Sequence, residues 1–407
     1  MADPSSTSAR TPTVEATTGA GWTTEAERAT GVELGTSRPE LLARYLRALP
    51  DARAAVLARL WGALAREPIA GITGRTRDGG DLVVTLTGGR RLRGPAGAAE
   101  PFAEVPDGLT LTLGGDPVGH PAALARILDP DRPEHDDPPG HGDRPGRGGR
   151  LVAELDNSVA NLALARAAQP PPDGGSPMLV RLAGDGPAGG DAVLAEQLVV
   201  DGHPLHPGCR TRLGMSPAEV LAYAPEHRRS VDLAVVAVPA DRWISTGTGL
   251  PPLLLVHPWQ RDHILPRYPG MRLTGRTVAA RPLMSLRTLA PVDEPGWHVK
   301  TAVDVQMTSA VRTVSAAAIH NGPLLSALIE RAAAGRLELL AEVAGGAVLV
   351  EGQPCRSLAM VRRRAPRVAA GEVVVPFAAL AARSAADGRP LVTEAVTLGY
   401  PGRPAAL

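Results

Sequence analysis

Apolar residues recur at helical spacing in three stretches of the first half of the chain. Between residues 41 and 49, leucine and tyrosine are three or four positions apart, behind Ser37 as a cap and Pro39 in the first turn. A second amphipathic stretch covers residues 56–64, and a third covers residues 151–168. The spacing predicts a helix over each stretch.

Short β-type runs dominate the second half of the chain. Alternating positions predict strands at 82–86 and 109–113, and later runs predict strands at 233–238, 253–256, 299–307, 347–351 and 359–362. One good helical pattern, 323–334, lies among them. Strands outnumber helices without strict alternation, so we expect an α+β fold whose second part is a mainly antiparallel β domain.

Composition along the chain suggests the domain boundaries. Residues 1–35 are rich in Thr, Ala, Ser and Gly and are predicted to be disordered. A helical domain then covers residues 36–170 and includes a Pro/Gly-rich surface loop at 129–149. The β-rich domain covers residues 171–385, and residues 386–407 are predicted to begin a further domain.

The overall charge and the cysteines exclude several classes of protein. The 407 residues include 43 Lys and Arg against 42 Asp and Glu, and only 3% are aromatic, which argues against a nucleic-acid-binding protein. There is neither a run of 18 apolar residues nor a signal-like start, so no membrane association is expected. The two cysteines, Cys209 and Cys355, form no disulfide framework, and a cytoplasmic location is the natural expectation.

Against this neutral background, basic and hydroxyl residues concentrate in four clusters. The clusters contain His203, His206, Arg210 and Arg212; His257 to Gln260; Ser285, Arg287 and Thr288; and Lys300, Thr308, Ser309 and Arg312. Arginine grips two oxygens at once, lysine supplies a point charge, and hydroxyls orient anionic oxygens. The clusters therefore predict a small-molecule site for a polyanion.

The local sequence around three of the clusters refines these expectations. Two histidines and Cys209 do not complete a zinc site, so no metal ligand is predicted, but the histidine turn could be purely structural. On a strand, Ser285 and Arg287 would share one face and aim into the same cleft. A buried strand at 253–256 would deliver His257 to a surface or cleft.

The helix at 151–168 carries a polar row that is open to two interpretations. Its members are Glu154, Asn157, Ser158 and Asn161, which recur at i, i+3, i+4 and i+7. Such a row could contribute to a site or could be a solvated flank.

Five segments together resemble the NRPS-independent siderophore (NIS) synthetases of the IucA/IucC, or aerobactin-synthetase, type. They are ELDNSVAN (154–161), HPLHPGCRTRLG (203–214), HPWQ (257–260), PLMSLRTL (282–289) and KTAVDVQMTSAVRT (300–313). The resemblance implies a hand-like fold with an N-terminal thumb, central fingers and a C-terminal palm. It implies an enzyme of siderophore biosynthesis, an ATP-dependent acid–amine ligase that adenylates a carboxylate such as citrate, then joins it to an amine or hydroxyl.

The resemblance also assigns roles to individual residues. It implies that Ser285, Arg287 and Thr288 contact ATP, with Mg²⁺ on the phosphates, and that Lys300 and Arg312 are catalytic and neutralise charge. Thr308 and Ser309, with Arg312, would bind the substrate. The first cluster (His203, His206, Arg210 and Arg212) would shape the ATP-binding loop beside the triphosphate.

Two departures from the family pattern qualify this expectation. The family's usual lysine in the first motif is Arg210 here, and no His-Gly-Gln-Asn motif of the palm occurs. The palm is therefore expected to be truncated, which would expose an apolar face of the fingers. The alternative function is a non-catalytic or split-enzyme subunit that binds nucleotide or carboxylate. The expected partners are small-molecule substrates and either a second copy in a homodimer or a separately encoded palm subunit.

Overall fold

Ten helices and sixteen strands lie in the part of the chain that the structure, a computed structural model, describes. This part comprises residues 23–101, 103, 105, 108–128, 147–170, 178–183, 191–369, 372–382 and 389–399. The helices are α1 (Glu25–Ser37), α2 (Pro39–Arg66), α3 (Pro121–Leu128), α4 (Arg147–Ala168), α5 (Met178–Ala183), α6 (Ala192–Gln197), α7 (Pro217–Tyr223), α8 (Pro258–His263), α9 (Ala316–Ala333) and α10 (Leu391–Gly399). The strands are β1 (Ile72–Asp78), β2 (Asp81–Leu86), β3 (Arg91–Pro95), β4 (Thr112–Leu113), β5 (Asp116–Pro117), β6 (Arg212–Leu213), β7 (Val231–Ala237), β8 (Trp243–Gly247), β9 (Leu253–Val256), β10 (Arg272–Pro282), β11 (Thr288–Pro291), β12 (Trp297–Thr301), β13 (Val303–Met307), β14 (Ala310–Arg312), β15 (Glu342–Val350) and β16 (Gln353–Arg364).

The two helices predicted at 41–49 and 56–64 are one helix. Helix α2 runs for 28 residues and continues through Pro50. Buried side chains on both sides of the proline, among them Leu49, Val56 and Trp61, join one hydrophobic core. The shared core outweighs the cost of a proline within the helix.

Residues 25–37 form helix α1, so the predicted disorder of residues 1–35 is wrong for this part; residues 1–22 lie outside the described chain. The helix is held by Leu34, which is fully buried, and by Glu27, whose carboxylate accepts hydrogen bonds from Arg53 at 2.7 Å. Tyr45 donates its hydroxyl to the carbonyl of Glu27 at 3.1 Å. These long-range contacts stabilise α1, although its sequence contains few apolar residues.

A five-stranded antiparallel sheet, in the order β1-β2-β3-β4-β5, packs on α2. The predicted strand at 82–86 corresponds to β2, whereas the one at 109–113 is reduced to β4. Close packing explains Gly94 on β3, because a Cβ there would lie 2.3 Å from Leu111 and 2.8 Å from Trp61. Trp61 thereby fills the space between α2 and the sheet.

The expected antiparallel β domain is an eight-stranded sheet. Its strand order is β8-β15-β16-β12-β11-β10-β7-β9, and every recorded pairing is antiparallel. The run predicted at 299–307 divides at Ala302: β12 stays in this sheet, while β13 joins a three-stranded sheet in the order β14-β13-β6. Residues Val303 and Val305 of β13 share the core of α2 and α4, so this division ties the large sheet to the helices.

Helix α9 packs on β15 and differs from its prediction at 323–334. It begins at Ala316, where the Ser315 hydroxyl accepts from the N–H of Ala318 at 3.1 Å, and it contains Pro323. Its outer face leaves apolar side chains exposed: Leu324, Leu325, Leu328 and Ile329, with Leu337 beyond its end. This helix therefore presents several apolar side chains to solvent.

Helix α10 packs onto α5, and that residues 386–407 begin a further domain stays a prediction. Leu391 is fully buried with Met178, Leu179 and Leu182, and the Leu179 N–H donates to Glu394 at 2.9 Å. Residues 400–407 lie outside the described chain. Among the helices described, none is long and apolar enough to cross a membrane.

The ion pair at Glu27 predicts a dependence of stability on pH. Burial alone would raise the pKa of Glu27, but hydrogen bonds from His120 and Arg53 lower it to about 2. The carboxylate therefore stabilises the fold above its unfolded pKa of about 4.3, and this contribution is lost as pH falls towards 2. Urea unfolding between pH 6 and 3 should show a steeper loss of stability for the native protein than for Glu27→Gln. The exposed Glu67→Gln is the control, and parallel pH curves for all three proteins would contradict the prediction.

Candidate functional site

Ser285 and Arg287 lie in the tight turn between β10 and β11, which corrects the prediction that they share a strand face. The Leu286 N–H donates to the carbonyl of Leu283 at 2.7 Å, and the Arg287 N–H donates to that of Ser285 at 2.8 Å. Leu286 has a φ of 65° although it is not a glycine. Such a conformation costs on the order of 1–3 kcal/mol and persists only where its surroundings enforce it. The surrounding structure therefore holds this turn in one conformation.

Helix α6 fastens this turn from one side. Glu196 accepts the N–H of Met284 at 3.0 Å, and Gln197 donates to the carbonyl of Pro282 at 3.0 Å. Within the turn, the Ser285 hydroxyl accepts the N–H of Thr288 at 3.2 Å. These contacts fix the start of β11 and with it the direction of Arg287.

Arg287 and Arg312 are close enough for their charges to interact. Arg287 Nη1 donates to the carbonyl of Thr313 at 2.8 Å, one residue beyond Arg312. Burial lowers the pKa of Arg287, and the charge of Arg312 lowers it further. Within the described chain, no hydrogen bond or ion pair is found for the Arg312 guanidinium. Two adjacent cations, one without a counter-ion, favour the binding of an anion.

Lys300 joins this cluster through Glu342. It lies opposite Thr288 in the β11–β12 pairing, and its Nζ donates to Glu342 Oε1 of β15 at 2.6 Å. Gly322 of α9 leaves room for the carboxylate, because a Cβ there would lie 2.3 Å from Glu342 Oε2. The charge of Glu342 also acts on Arg287, where it opposes the lowering of the pKa by burial. Glu342 thus partly balances the cations.

Thr308 and Ser309 form the two-residue turn between β13 and β14. Thr308 has a φ of 55°, and its carbonyl accepts from Gln306 at 3.3 Å. The hairpin returns the chain so that Arg312 pairs with Val303. The turn therefore positions Arg312, while direct substrate contact by the two hydroxyls stays a prediction.

The histidine segment is a loop held by its own imidazoles. His203 Nδ1 accepts the N–H of His206 at 3.1 Å, and His206 Nδ1 accepts that of Gly208 at 2.9 Å. Burial lowers the pKa of His206, and the charges of His203 and Arg312 lower it further. His206 is therefore a neutral ring, and it places the histidine loop next to Arg312.

Arg210 and Arg212 are buried, and this argues against the interpretation that they donate to a phosphate. Arg212 donates to Glu226 at 2.7 and 3.0 Å, and Arg210 donates to the same carboxylate at 3.2 Å. Arg210 also donates to the carbonyls of Val199 and Val200. Burial alone would raise the pKa of Glu226, but the two guanidinium charges hold it well below its usual range. Both arginines act by shaping the loop.

The polar row of α4 is a set of anchors for this loop, and the solvated-flank interpretation is wrong. Asn157 accepts the N–H of Arg212 at 2.7 Å, and Asn161 donates to the carbonyl of Arg210 at 3.1 Å. Ser158 accepts the Arg210 N–H at 3.1 Å. The backbone around residues 207–212 is therefore bonded to one face of a helix.

The segment His257 to Gln260 lies inside the protein, so the prediction that it delivers a polar tip to a cleft is wrong. His257 is fully buried, and its Nδ1 accepts the N–H of Trp259 at 3.2 Å as the cap of α8. Burial lowers its pKa to about 3. Gln260 donates to Asp304 at 2.9 Å and to the carbonyl of Ser357 at 2.8 Å. This segment therefore joins α8 to β13 and β16.

The structure thus brings Arg287, Lys300 and Arg312 towards one region, the cation cluster, and the neutral His206 borders it. Glu342 and Glu226, which balance the charges around it, were not predicted. Neither lies in one of the motifs. Glu342 is 42 residues from Lys300 and Glu226 is 14 residues from Arg212, so no local sequence pattern links the members of each pair. No group of three metal-ligating side chains is present within the described ranges.

The profile of the IucA / IucC family matches residues 191–249 and 252–382 of this chain. Staphyloferrin A synthase of Staphylococcus aureus is 29% identical over 241 residues, which is 50% of this chain and 41% of that protein. D-ornithine–citrate ligase of the same organism is 27% identical over 172 residues, 33% of this chain and 26% of that protein. The aligned regions cover less than half of these relatives.

Solved structures have a similar fold at low sequence identity. The petrobactin biosynthesis protein AsbB of Bacillus anthracis has a TM-score of 0.63 at 16% identity, over 89% of this chain and 67% of that one. ATP-bound aerobactin synthetase IucA of Klebsiella pneumoniae has a TM-score of 0.59 at 17% identity, over 85% of this chain and 66% of that one. These likenesses establish the fold.

The buried ion pair predicts a large stability effect from one substitution. Glu226→Gln removes the charge that compensates Arg210 and Arg212, so it should destabilise the protein by about 3–5 kcal/mol. The matched control Glu294→Gln breaks the exposed pair with Arg362 and should cost about 0–1 kcal/mol. Urea unfolding at pH 7 measures both, and equal stabilities of the two variants would contradict the assignment.

Proposed function

Because the chain belongs to the IucA/IucC family of NIS synthetases, we propose that it activates a carboxylate of citrate or a related acid with ATP and condenses the product with an amine or hydroxyl. The observation that carries this proposal is the cation cluster, in which Arg312 lacks a counter-ion among the described residues and lies beside Arg287. Siderophore biosynthesis is the process that such a ligase serves. D-ornithine–citrate ligase, by its name, joins substrates of the proposed kinds.

The proposed reaction has two steps. A carboxylate oxygen attacks the α-phosphorus of ATP, the bond from that phosphorus to the bridging oxygen breaks, and pyrophosphate leaves. The amine nitrogen or hydroxyl oxygen then attacks the acyl carbon, AMP leaves with its oxygen, and the nucleophile loses a proton. The first step brings two anions together, so charge neutralisation and positioning supply most of the catalysis.

Each residue of the cluster has a role that follows from its position. Arg287, fixed by Thr313, and Ser285 in the β10–β11 turn would hold the triphosphate. Lys300 and Arg312 would neutralise the charge that develops where carboxylate and phosphate meet. Thr288 would act through the strand pairing that sets Lys300.

The imidazoles and the hairpin tip complete the proposed site. His203 and His206 would border the phosphates through their loop, and Arg210 and Arg212 would keep that loop in place. Thr308 and Ser309 would bind the acid at the hairpin tip. Apart from Glu342, which pairs with Lys300, the side chains of the proposed site are cations and hydroxyls, so they fit Mg²⁺ only as an ion carried on the phosphates, where it would screen their charge.

The exposed face of α9 favours a second candidate, a subunit that binds nucleotide or carboxylate and needs a separate palm domain for turnover. Leu324, Leu325 and Leu328 are each more than half exposed. An apolar surface of this kind is typical of an interaction site. Nucleotide binding without AMP formation, restored to turnover by an added palm protein, would favour this candidate.

The first test is formation of AMP and pyrophosphate from ATP with citrate, succinyl and 2-oxoglutarate substrates, each paired with a panel of amines. AMP release that depends on both acid and amine is expected. No AMP with any pair, including after addition of a separately encoded palm protein, would refute ligase activity.

Substitutions in the cluster test the site itself. Arg287→Ala and Arg312→Ala each remove a charge-assisted contact of about 1.5–3 kcal/mol, so each should weaken ATP binding or kcat/KM by roughly 10- to 100-fold. Arg276→Ala, an exposed arginine on β10, should change neither. Calorimetry and AMP release measure these effects, and equal effects of all three substitutions would refute the site.

Glu342→Gln tests whether Glu342 positions Lys300. The substitution removes a negative charge from the cluster, so ATP should bind as tightly or more tightly, while kcat should fall at least about tenfold because the ammonium loses its partner. Glu351→Gln, exposed in the turn between β15 and β16, should leave both constants unchanged. A kcat equal to that of the native protein would rule out the positioning role.

A further inference from the structure

The sheet face that carries Lys300 continues into a second pair of polar side chains, His298 and Arg363. In the β12–β16 pairing, Lys300 lies opposite Val361 and His298 lies opposite Arg363. Side chains two residues apart on a strand point to the same face, and they are about 7 Å apart. His298 and Arg363 therefore lie one step along the strands from Lys300, on the same face.

Two helices border this part of the sheet face. Helix α9 packs on it through Ile319, which shares a core with Val361. Helix α6 lies on the side of β10, where Asp191, its cap, pairs with Arg281 at 3.0 Å. Arg281 is on the same face as Lys300, through the pairings of β10 with β11 and of β11 with β12. The polar pair is thus part of the surface between α6 and α9.

His298 is only 3% exposed, yet one of its ring nitrogens is available. Arg363 Nη2 donates to His298 Nδ1 at 3.0 Å, and burial, with the charge of Arg363, lowers the pKa of His298 to about 4. The neutral ring therefore carries its proton on Nε2. This Nε2 has no hydrogen-bond partner among the described residues, but, unlike the Nε2 atoms of His227 and His257, it is not sealed from solvent.

Arg363 is mostly buried, and in the described chain it makes no ion pair. Burial lowers its pKa, and the charges of Glu196 and Glu342 oppose this effect without direct contact. Its Nε is sealed, so only the outer nitrogens can meet a ligand, and Nη1 is neither sealed nor bonded to a described residue. A guanidinium removed from water without a paired anion is costly, and a bound anion would recover that cost.

The charge along this face decreases from the cation cluster towards the polar pair. At the cluster end, Arg287 and Arg312 lie side by side, and Glu342 is the carboxylate that acts on Arg287. At the other end, both Glu342 and Glu196 act on the single guanidinium of Arg363. The cluster end therefore suits a multiply charged triphosphate, and the Arg363 end suits an anion of lower charge, such as one carboxylate.

We propose that His298 and Arg363 bind a carboxylate of the acid substrate other than the one that is adenylated, with Arg363 Nη1 as a charged donor and His298 Nε2 as a neutral donor. This inference rests on the proposed ligase function and narrows its substrate class to acids with at least two carboxylates. The reacting carboxylate lies at Lys300, between this pair and the triphosphate. An acid with a single carboxylate lacks the group that the pair binds.

Calorimetry on the full chain tests the pair, with ATP and separately with citrate, succinate and 2-oxoglutarate, of which the tightest-binding acid is used for the variants. Arg363→Met should weaken binding of that acid at least about tenfold and leave the Kd of ATP within about twofold of the native value, because the lost contact is to the acid alone. His298→Phe, which removes the neutral donor, should weaken binding of the acid in the same selective way.

The matched control is Arg362→Met, at the next residue of β16, whose side chain lies on the opposite face and pairs with Glu294. It should change the binding of neither ligand. Thermal unfolding reports whether each variant is folded. If Arg363→Met lowers the stability, Arg363→Lys decides, because an ammonium keeps the charge without the planar fork and should show a smaller loss that is still selective for the acid.

Three results would overturn the inference: no binding of any of the acids to the native protein, an acid affinity that the Arg363 variants leave unchanged, or equal losses for acid and ATP. Acid binding that depends on Arg363 in a protein that releases no AMP would refute the ligase function and leave this binding site supported. The two proposals therefore fail separately.

Discussion

The structure depends on one buried carboxylate that compensates two guanidinium groups. Solvent hardly reaches Arg210, Arg212 and Glu226. Removing two cations from water is costly unless a counter-ion and further hydrogen-bond acceptors replace their contacts with water. Glu226 supplies the charge, and carbonyls at the end of α6 supply the acceptors. Because the same segment is bonded to α4, this pair joins the helical region, the histidine loop and the β domain.

The cation cluster follows the opposite principle, since its charges are left incompletely balanced. Among the described residues, Glu342 pairs with Lys300, the Arg287 guanidinium donates to the Thr313 carbonyl, and no partner is found for the Arg312 guanidinium. Holding like charges together costs free energy in the empty protein, and an anionic ligand recovers it. The two groups of arginines therefore differ in their counter-ions. Arg210 and Arg212 are buried and neutralised by Glu226, whereas Arg287 and Arg312 are not fully neutralised and are the ones that we propose to bind the substrates.

Local patterns predicted the three longest helices, α2, α4 and α9, and half of the described strands, and the motif positions led to the cluster. They failed where distant residues decide: Glu27 orders α1 through Arg53, and α2 continues through Pro50 because its neighbours on both sides share a core. Arg210 and Arg212 have the composition of phosphate ligands, but only the fold brings Glu226 to them. A motif records which residues are present, and burial decides which of them can meet a ligand.

Helix α9 contacts Glu342 through two of its own residues, one at the carboxylate and one at the backbone N–H. Gly322 borders the carboxylate, and the Ser326 hydroxyl accepts the Glu342 N–H at 3.0 Å. Pressing the helix towards the sheet would close the gap at Gly322 and displace the acid with its bound ammonium. The exposed leucines lie on the same helix, so a contact made there that shifted α9 would also shift the Glu342 carboxylate and the Lys300 ammonium bonded to it.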